Sequence, residues 1–555
     1  METLQFIQLA LVGSVGLAGA GPVWGVAEGS DQTLPGSASG VDVNPIGVLP
    51  AGTANVASSG GSANPPSTSS GRAPVREWTF STGADASVTL TNNVALAPPG
   101  QEQADAVLAL SVPLGLHREG PRVKLQADYI PTVYLYAKNS DSDYVENNLR
   151  AFMSVEAVDD YFFVDASANI LPSYISPFVA RPESGASITP NRTQQTTLGL
   201  SPYIRHGSDT DWNYVIRNDN YWNIYNTAGL SNGVTNGLSA DLVSPAARVR
   251  YGFDYAYLHN SFETPPTSYN QEVGRVRPIV TVTPRLNVSA RLGYETNDYS
   301  PTNRSGPVYG AGARWTPTPR TTLDGFIEHR FFGPSYRLDL NHRTRMTSWR
   351  LSGTRNVYTA QDQGLTLVPP TMAEVLNDTF RSQIPDAAER DRAVQQFMQQ
   401  AGLPQALTQP YSFYTNVPYI SQQWSGSVGL LGRRNSFELS FLWQENQPAT
   451  STSGPQPGGI VAYSQLRQQG FTANFTHRLS ALSAITLTGN RLYSLAAAAP
   501  ATPATGSTQN TLTLNLTRQL SPKTNASIGV RGINGQSGTS PYRERAVLAG
   551  VSHRF

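Results

Sequence analysis

AVLAGVSHRF, residues 546–555, closes the chain on an aromatic residue inside what reads as a strand. Strand side chains alternate with period two, so Val547, Ala549, Val551, His553 and Phe555 share one face, and Leu548, Gly550, Ser552 and Arg554 the other. The first face is mostly apolar and the second mostly small or polar. An edge strand of a soluble protein can end in this way. The sharper expectation is the last strand of a transmembrane barrel, with Phe555 as its assembly signal, and the rest of the chain decides between them.

Working outward, segments of the same texture recur. In LNVSARLGYE, residues 286–295, Leu286, Val288, Ala290, Leu292 and Tyr294 oppose Asn287, Ser289, Arg291, Gly293 and Glu295. In YRLDLNHRTR, residues 336–345, Tyr336, Leu338, Leu340 and His342 oppose Arg337, Asp339, Asn341, Arg343 and Arg345. In NSFELSFLW, residues 435–443, Phe437, Leu439, Phe441 and Trp443 oppose Ser436, Glu438, Ser440 and Leu442. One face suits lipid and the other water. Tight breaks at HREGP, VDDY, HGSDTD, SPAA, TPRL, TPTPR, TRMT, GRRNS, LSALS and SPKT alternate with mostly longer connections such as PSYISPFVARPESGASITPNRT and QENQPATSTSGPQPGG. Short turns on one side and long loops on the other are the pattern of an outer-membrane barrel. Strands placed between the breaks number about 22, with both ends on the periplasmic side. Trp78, Tyr134, Tyr136, Trp212, Trp315, Trp349, Trp424 and Trp443 lie near expected strand ends, where interfacial girdles form.

Composition excludes several classes. Charged residues are 14%, the net charge is +1 and the mean hydropathy is -0.31, while Gly 48, Pro 40 and Tyr 25 favour strands and turns. Without a basic run no nucleic-acid partner is expected. Without cysteine there is no disulfide scaffold and no thiolate metal site. Residues 1–27 read as a signal peptide, with an apolar stretch from Phe6 to Ala20 and small residues at Gly25 and Ala27. Glu2 stands where such segments carry Lys or Arg. Residues 28–76, rich in Gly, Ser, Pro, Ala and Asn, bury too little surface to offset their ordering entropy and read as a disordered periplasmic tail. Residues 77–555 read as the barrel. No later stretch approaches the roughly 18 apolar residues of a spanning helix, so an integral protein of this kind has to be a closed barrel.

One connection, about 361–417, is different. In TMAEVLNDTFRSQIPDAAERDRAVQQFMQQAG, Val375, Leu376, Phe380, Ile384, Val394, Phe397 and Met398 have helical spacing, and Pro385 with Asp386 divides the stretch into two short helices. Such a pair either folds into the barrel mouth and narrows it or caps the outside, and constriction or gating is the preferred reading.

Arginines on the inward faces of the middle strands form the candidate lumen lining: Arg248, Arg250, Arg275, Arg277, Arg291, Arg314, Arg330, Arg337, Arg343 and Arg350, with Arg345 beside them. Asp324, Glu328 and Asp339 belong to the same lining, and Asp254 and Glu295 share those faces. A mixed-charge ladder filling a polar lumen is the first expectation. The alternative is a pore that concentrates acidic saccharides or small anions through guanidinium groups. NSDSDYVENN, residues 139–148, offers Asp141, Asp143 and Glu146 but lacks the glycine and spacing of a calcium loop, so it reads as solvated and no metal site is expected. The scattered histidines come with no HExxH and no GxSxG, and neither an enzyme nor a cofactor is expected.

The chain resembles the outer-membrane β-barrel family associated with the PEP-CTERM/exosortase system. The resemblance is carried by SVTLTNNVALAP, LQADYIPTVYLYAKN, NNLRAFMSVEAVDDYFFVDASANI, ISPF, SPYIR and IPDAAERDRAVQQFMQQAGLP, in that order, and covers most of 78–555. It implies an outer-membrane location in a Gram-negative bacterium and a part in exporting or organising extracellular polysaccharide. It also implies outer-membrane lipid, the outer-membrane assembly machinery and exopolysaccharide export proteins or saccharide as partners. The chain shows no C-terminal PEP motif followed by a membrane helix and basic end, so it reads as a companion of that system and not an exosortase substrate. The expected function is a channel or export component. A sealed structural barrel that anchors a partner through 28–76 or its outer loops is the competing reading.

Overall fold

Segments in which Val, Leu, Ile, Phe, Tyr and Thr alternate with polar residues cannot satisfy their backbone alone, and they pair edge to edge. The computed structural model describes residues 78–555 except 209, 228–229, 265, 301–303, 450–464, 498–504 and most of 359–416. The first strands are β1 (Trp78–Thr91), β2 (Asp105–Ser111), β3 (Leu114–Glu119), β4 (Val123–Tyr136), β5 (Tyr144–Val158), β6 (Phe162–Tyr174) and β7 (Arg192–His206). Next come β8 (Asn213–Tyr225), β9 (Gly233–Val243), β10 (Val249–Phe262), β11 (Thr267–Thr283), β12 (Leu286–Asn297), β13 (Ser305–Thr318), β14 (Thr321–Arg330) and β15 (Gly333–Arg343). The last are β16 (Thr347–Tyr358), β17 (Tyr419–Leu431), β18 (Asn435–Pro448), β19 (Leu466–Arg478), β20 (Ser483–Ala496), β21 (Thr505–Ser521), β22 (Thr524–Ser537) and β23 (Ser540–Arg554).

All 23 belong to one antiparallel sheet. β1 pairs with β2 through Asp85–Thr91 and with β3 through Trp78–Thr82, so β2 and β3 are two halves of one stave and the ring has 22. The break falls at Val112 and Pro113, because proline has no N–H to give the ladder. β1 then closes the ring on β23, Gly83–Thr91 running against Ala546–Arg554. The last residue finishes the seam: the Phe555 N–H donates to Thr82 O at 2.9 Å, and the Arg554 guanidinium donates to Asp85 at 2.6 Å.

The exterior carries Val547, Val551, Leu512, Leu514, Ile528 and Phe471, all exposed. Closure pairs the ladder of every stave, and the apolar outside gives lipid a matching surface, which makes this an outer-membrane barrel. Trp78, Trp212, Trp315 and Trp349 are exposed near the short-turn rim. Trp424 and Trp443 are register partners on the outer face. Tyr134 and Tyr136, expected in the girdle, instead turn inward beneath an outer loop, because they share a face with Thr132 of the buried wall.

The expected loop asymmetry is present. The tight breaks all lie on one side, with both ends of the barrel sequence, although three connections on the other side, 263–266, 331–332 and 538–539, are tight as well. The helical insert expected at 361–417 falls almost wholly outside the described residues. Leu376, Asn377, Phe380, Arg390, Ala393, Val394 and Phe397 are described there with helical backbone, but no continuous helix is described among them. Residues 1–27 and 28–76 also lie outside the described residues.

Candidate functional site

Alternation that exposes Val, Leu and Phe must turn the intervening residues into the barrel, and these build the candidate site. Arg250, Arg275, Arg277, Arg291, Glu328 and Arg330 stand on the inner face and are buried. Arg277 of β11 donates to Asp254 of β10 at 2.8 Å and to Asp241 of β9 at 2.7 Å. Arg275 reaches past β12 and β13 to Glu328 of β14 at 2.7 Å. Arg330 donates to Glu295 at 2.6 Å, whose other oxygen accepts from the Phe331 N–H at 2.7 Å. The Arg291 guanidinium lies 3.6 Å from the Phe326 ring centroid and 3.8 Å from Glu328 Oε2.

Toward the short-turn rim the same wall is wetter. Arg314 stands 3.9 Å from Asp324 with side chains 40% and 45% exposed, and Arg337 donates to Asp339 at 2.7 Å with 40% and 30% exposed. Arg350 donates to Asn341 at 3.1 Å, and Arg343 is half-buried at the end of β15. Arg248 and Arg345 lie outside the strands, exposed in the 244–248 and 344–346 turns. The wall therefore holds Arg275, Arg277, Arg291 and Arg330 against carboxylates and presents Arg314, Arg337 and Arg350 to water, while Arg250 is buried near the short-turn end of β10. The neighbouring wall is uncharged for the most part: Ser427, Ser440, Gln444, Gln468, Thr472 and Asn474 face inward from β17, β18 and β19, and Glu438 is an exception.

Among the described residues, outer connections that turn into the barrel include 92–104, whose Leu96 packs on inward-facing Ile533 and Tyr542, and two longer ones, of which sequence reasoning placed only one there. The first is 175–191. Its neck is tied by Asn191, which accepts from the Ser176 N–H and donates to Ser176 O, both at 2.8 Å. Its tip crosses to the far wall, where Ser507 and Ser537 donate to Pro177 O at 2.8 Å and Phe178 O at 2.6 Å. Glu183 accepts there from Gln509 at 2.6 Å and Thr511 at 2.9 Å, and Phe178 packs on Leu466 and Ala496. On its return Gly185 O accepts from Tyr144 Oη at 2.6 Å, and Arg192 binds the carbonyls of Ser184, Gly185 and Ser187. The loop thus spans the outer mouth from β6 and β7 to the inner faces of β19 through β22. The one signal in the sequence was its length; nothing local says which way a loop folds.

The second is the 361–417 connection. It leaves and re-enters the barrel between Tyr358 and Tyr419, register partners at the outer rim. Yet buried Phe397 lies 4.9 Å from the guanidinium of Arg478, which faces inward at the short-turn end of β19. Phe380 meets Phe397 edge-on at 5.7 Å, and Arg390 donates to Asn377 at 2.6 Å. An outer connection therefore places residues at the opposite end of the lumen.

No protein-family model and no curated protein matches the sequence. Among solved structures the chain is similar to the siderophore receptor PirA from Pseudomonas aeruginosa, at 11% identity over 87% of this chain and 81% of that one, with a TM-score of 0.42. It is also similar to PirA from Acinetobacter baumannii, at 10% identity over 86% and 81%, TM-score 0.44. The FrpB iron transporter from Neisseria meningitidis matches at 10% identity over 86% and 82%, TM-score 0.44.

Proposed function

We propose that this barrel is an outer-membrane channel whose polar lumen is narrowed by two of its own loops, and that it passes saccharide, exopolysaccharide or its fragments, in an export system of the PEP-CTERM/exosortase-linked kind. The observation that carries the channel reading is the inner wall. A ring of 22 staves encloses more space than side chains alone fill, and its inward positions are hydroxyls, amides and paired charges suited to water. The saccharide rests on the resemblance, to which the amide-rich β17–β19 wall adds a chemical match, since Asn and Gln both donate and accept as sugar hydroxyls do. Lipid surrounds the barrel; the assembly machinery and export proteins are its proposed protein partners.

The test is single-channel conductance in a planar bilayer, comparing the full chain with one in which 361–417 is replaced by a short turn. The register pairing of Tyr358 with Tyr419 leaves ends that a short turn can join. Stable steps that grow on replacement support a pore narrowed by that connection. The competing sealed barrel is favoured by Phe397 lying at the far end of the lumen, and absence of conductance in both forms would establish it.

A further inference from the structure

We infer that a cavity of about 360 Å³ at the outer rim, between the β4–β5 hairpin and the returning half of the 175–191 loop, binds a neutral sugar. The volume lies within the usual range of small-molecule pockets, ~300–1,000 Å³. Charge in the cavity is balanced: Arg192 lies 3.9 Å from Glu146, and both side chains are largely buried. An anionic ligand meets the Glu146 carboxylate and a cationic one meets Arg192, whose guanidinium is already committed to three loop carbonyls and the Tyr144 hydroxyl. A neutral ligand meets neither penalty.

The remaining lining supplies what such a ligand needs. Gln194 and Asn226 bring amides and Thr189 a hydroxyl, groups that both donate and accept as a sugar hydroxyl does, while the Asn147 carbonyl is held by the Tyr129 hydroxyl at 2.7 Å. Aromatic stacking is not the mode here, because Tyr144 is stacked on Tyr134 at 4.9 Å and carries Arg192 at 5.2 Å. Hydrogen bonds therefore set the affinity, and the site is selective by hydroxyl pattern more than by size.

Its position gives the site a consequence. Ser187, Ile188 and Thr189 belong both to the cavity wall and to the loop that spans the mouth. A bound sugar stabilises the conformation that forms the cavity, so occupancy holds the loop across the mouth. This deepens the saccharide reading above, and the experiment separates the two.

Calorimetry on the full chain in detergent micelles uses glucose, galactose and sucrose, with glucuronate and glucosamine as charged counterparts. Saturable binding of a neutral sugar is expected, weaker for both charged probes. Gln194→Ala should weaken it about fivefold, the effect of one lost hydrogen bond, and Asn226→Trp, at an exposed rim position, should abolish it by filling the cavity. No saturable heat with any neutral sugar, preference for a charged probe, or binding unchanged in both variants overturns the site. Added to the outer side of a bilayer, the bound sugar should lower the current of the full chain and not that of Asn226→Trp. Binding without any current upholds the pocket and removes the channel reading.

Discussion

At the residue scale, the mouth depends on a few atoms. Gly185 passes so close to Tyr134 that an added Cβ would overlap its ring. Gly185→Ala should therefore push the returning strand of the loop off the rim, at about 1–3 kcal/mol for overpacking, seen as faster proteolysis within 175–191. Glu183 is the tip's only charged anchor described on the far wall, beside the bonds to Pro177 O and Phe178 O, so Glu183→Ala should loosen the tip and raise single-channel conductance modestly without changing barrel stability. The buried pair of Arg275 and Glu328 behaves differently. Arg275→Met leaves a carboxylate short of its main partner, and urea unfolding in lipid should register a loss of about 3–5 kcal/mol. Arg275→Met with Glu328→Gln should recover much of it, because two neutral groups need no compensation. For the same reason ion selectivity belongs to the water-facing Arg314, Arg337 and Arg350: Arg337→Gln should lower anion preference in reversal-potential measurements while Arg275 variants change stability.

At the element scale, the strands were the most legible part. In β23 the alternation alone assigns Val547, Val551 and Phe555 to lipid, and they are exposed on the outside. The same rule put Arg250, Arg275, Arg277 and Arg291 on inward positions, since a period of two needs no knowledge of neighbours. Which carboxylate each arginine meets was not legible: Arg275 and Glu328 are separated by two whole strands, and only the ladder register brings them level. Loop direction was equally hidden. The 361–417 connection stood apart by its helical spacing, whereas 175–191 read only as a long outer segment, and hydroxyls and amides on distant strands decide where it docks. The last strand has its own prediction. Phe555 packs on His553 at 4.9 Å and is exposed at the seam. Phe555→Ala should leave a correctly folded barrel in vitro yet lower the heat-modifiable fraction recovered in the outer membrane several-fold, the mark of an assembly signal rather than a stability contact.

At the scale of the whole molecule, β1 and β23 turn a sheet into a ring, and the ring turns a two-sided pattern into an inside and an outside. Arg478→Ala, which removes the stacking of Phe397, should raise the fraction of time spent in larger conductance steps. A cation–π contact of about 1 kcal/mol corresponds to roughly fivefold in that population. The sequence by itself determined the barrel, the stave number, the sidedness of the loops and the faces of the strands. All of these follow from alternation and turn chemistry, which act over a few residues. Only the tertiary structure decided that 175–191 spans the mouth, that Tyr134 and Tyr136 support it from within, and which of the inner charges are partners. Those contacts join residues brought together by closing the ring, and a local pattern carries no record of closure.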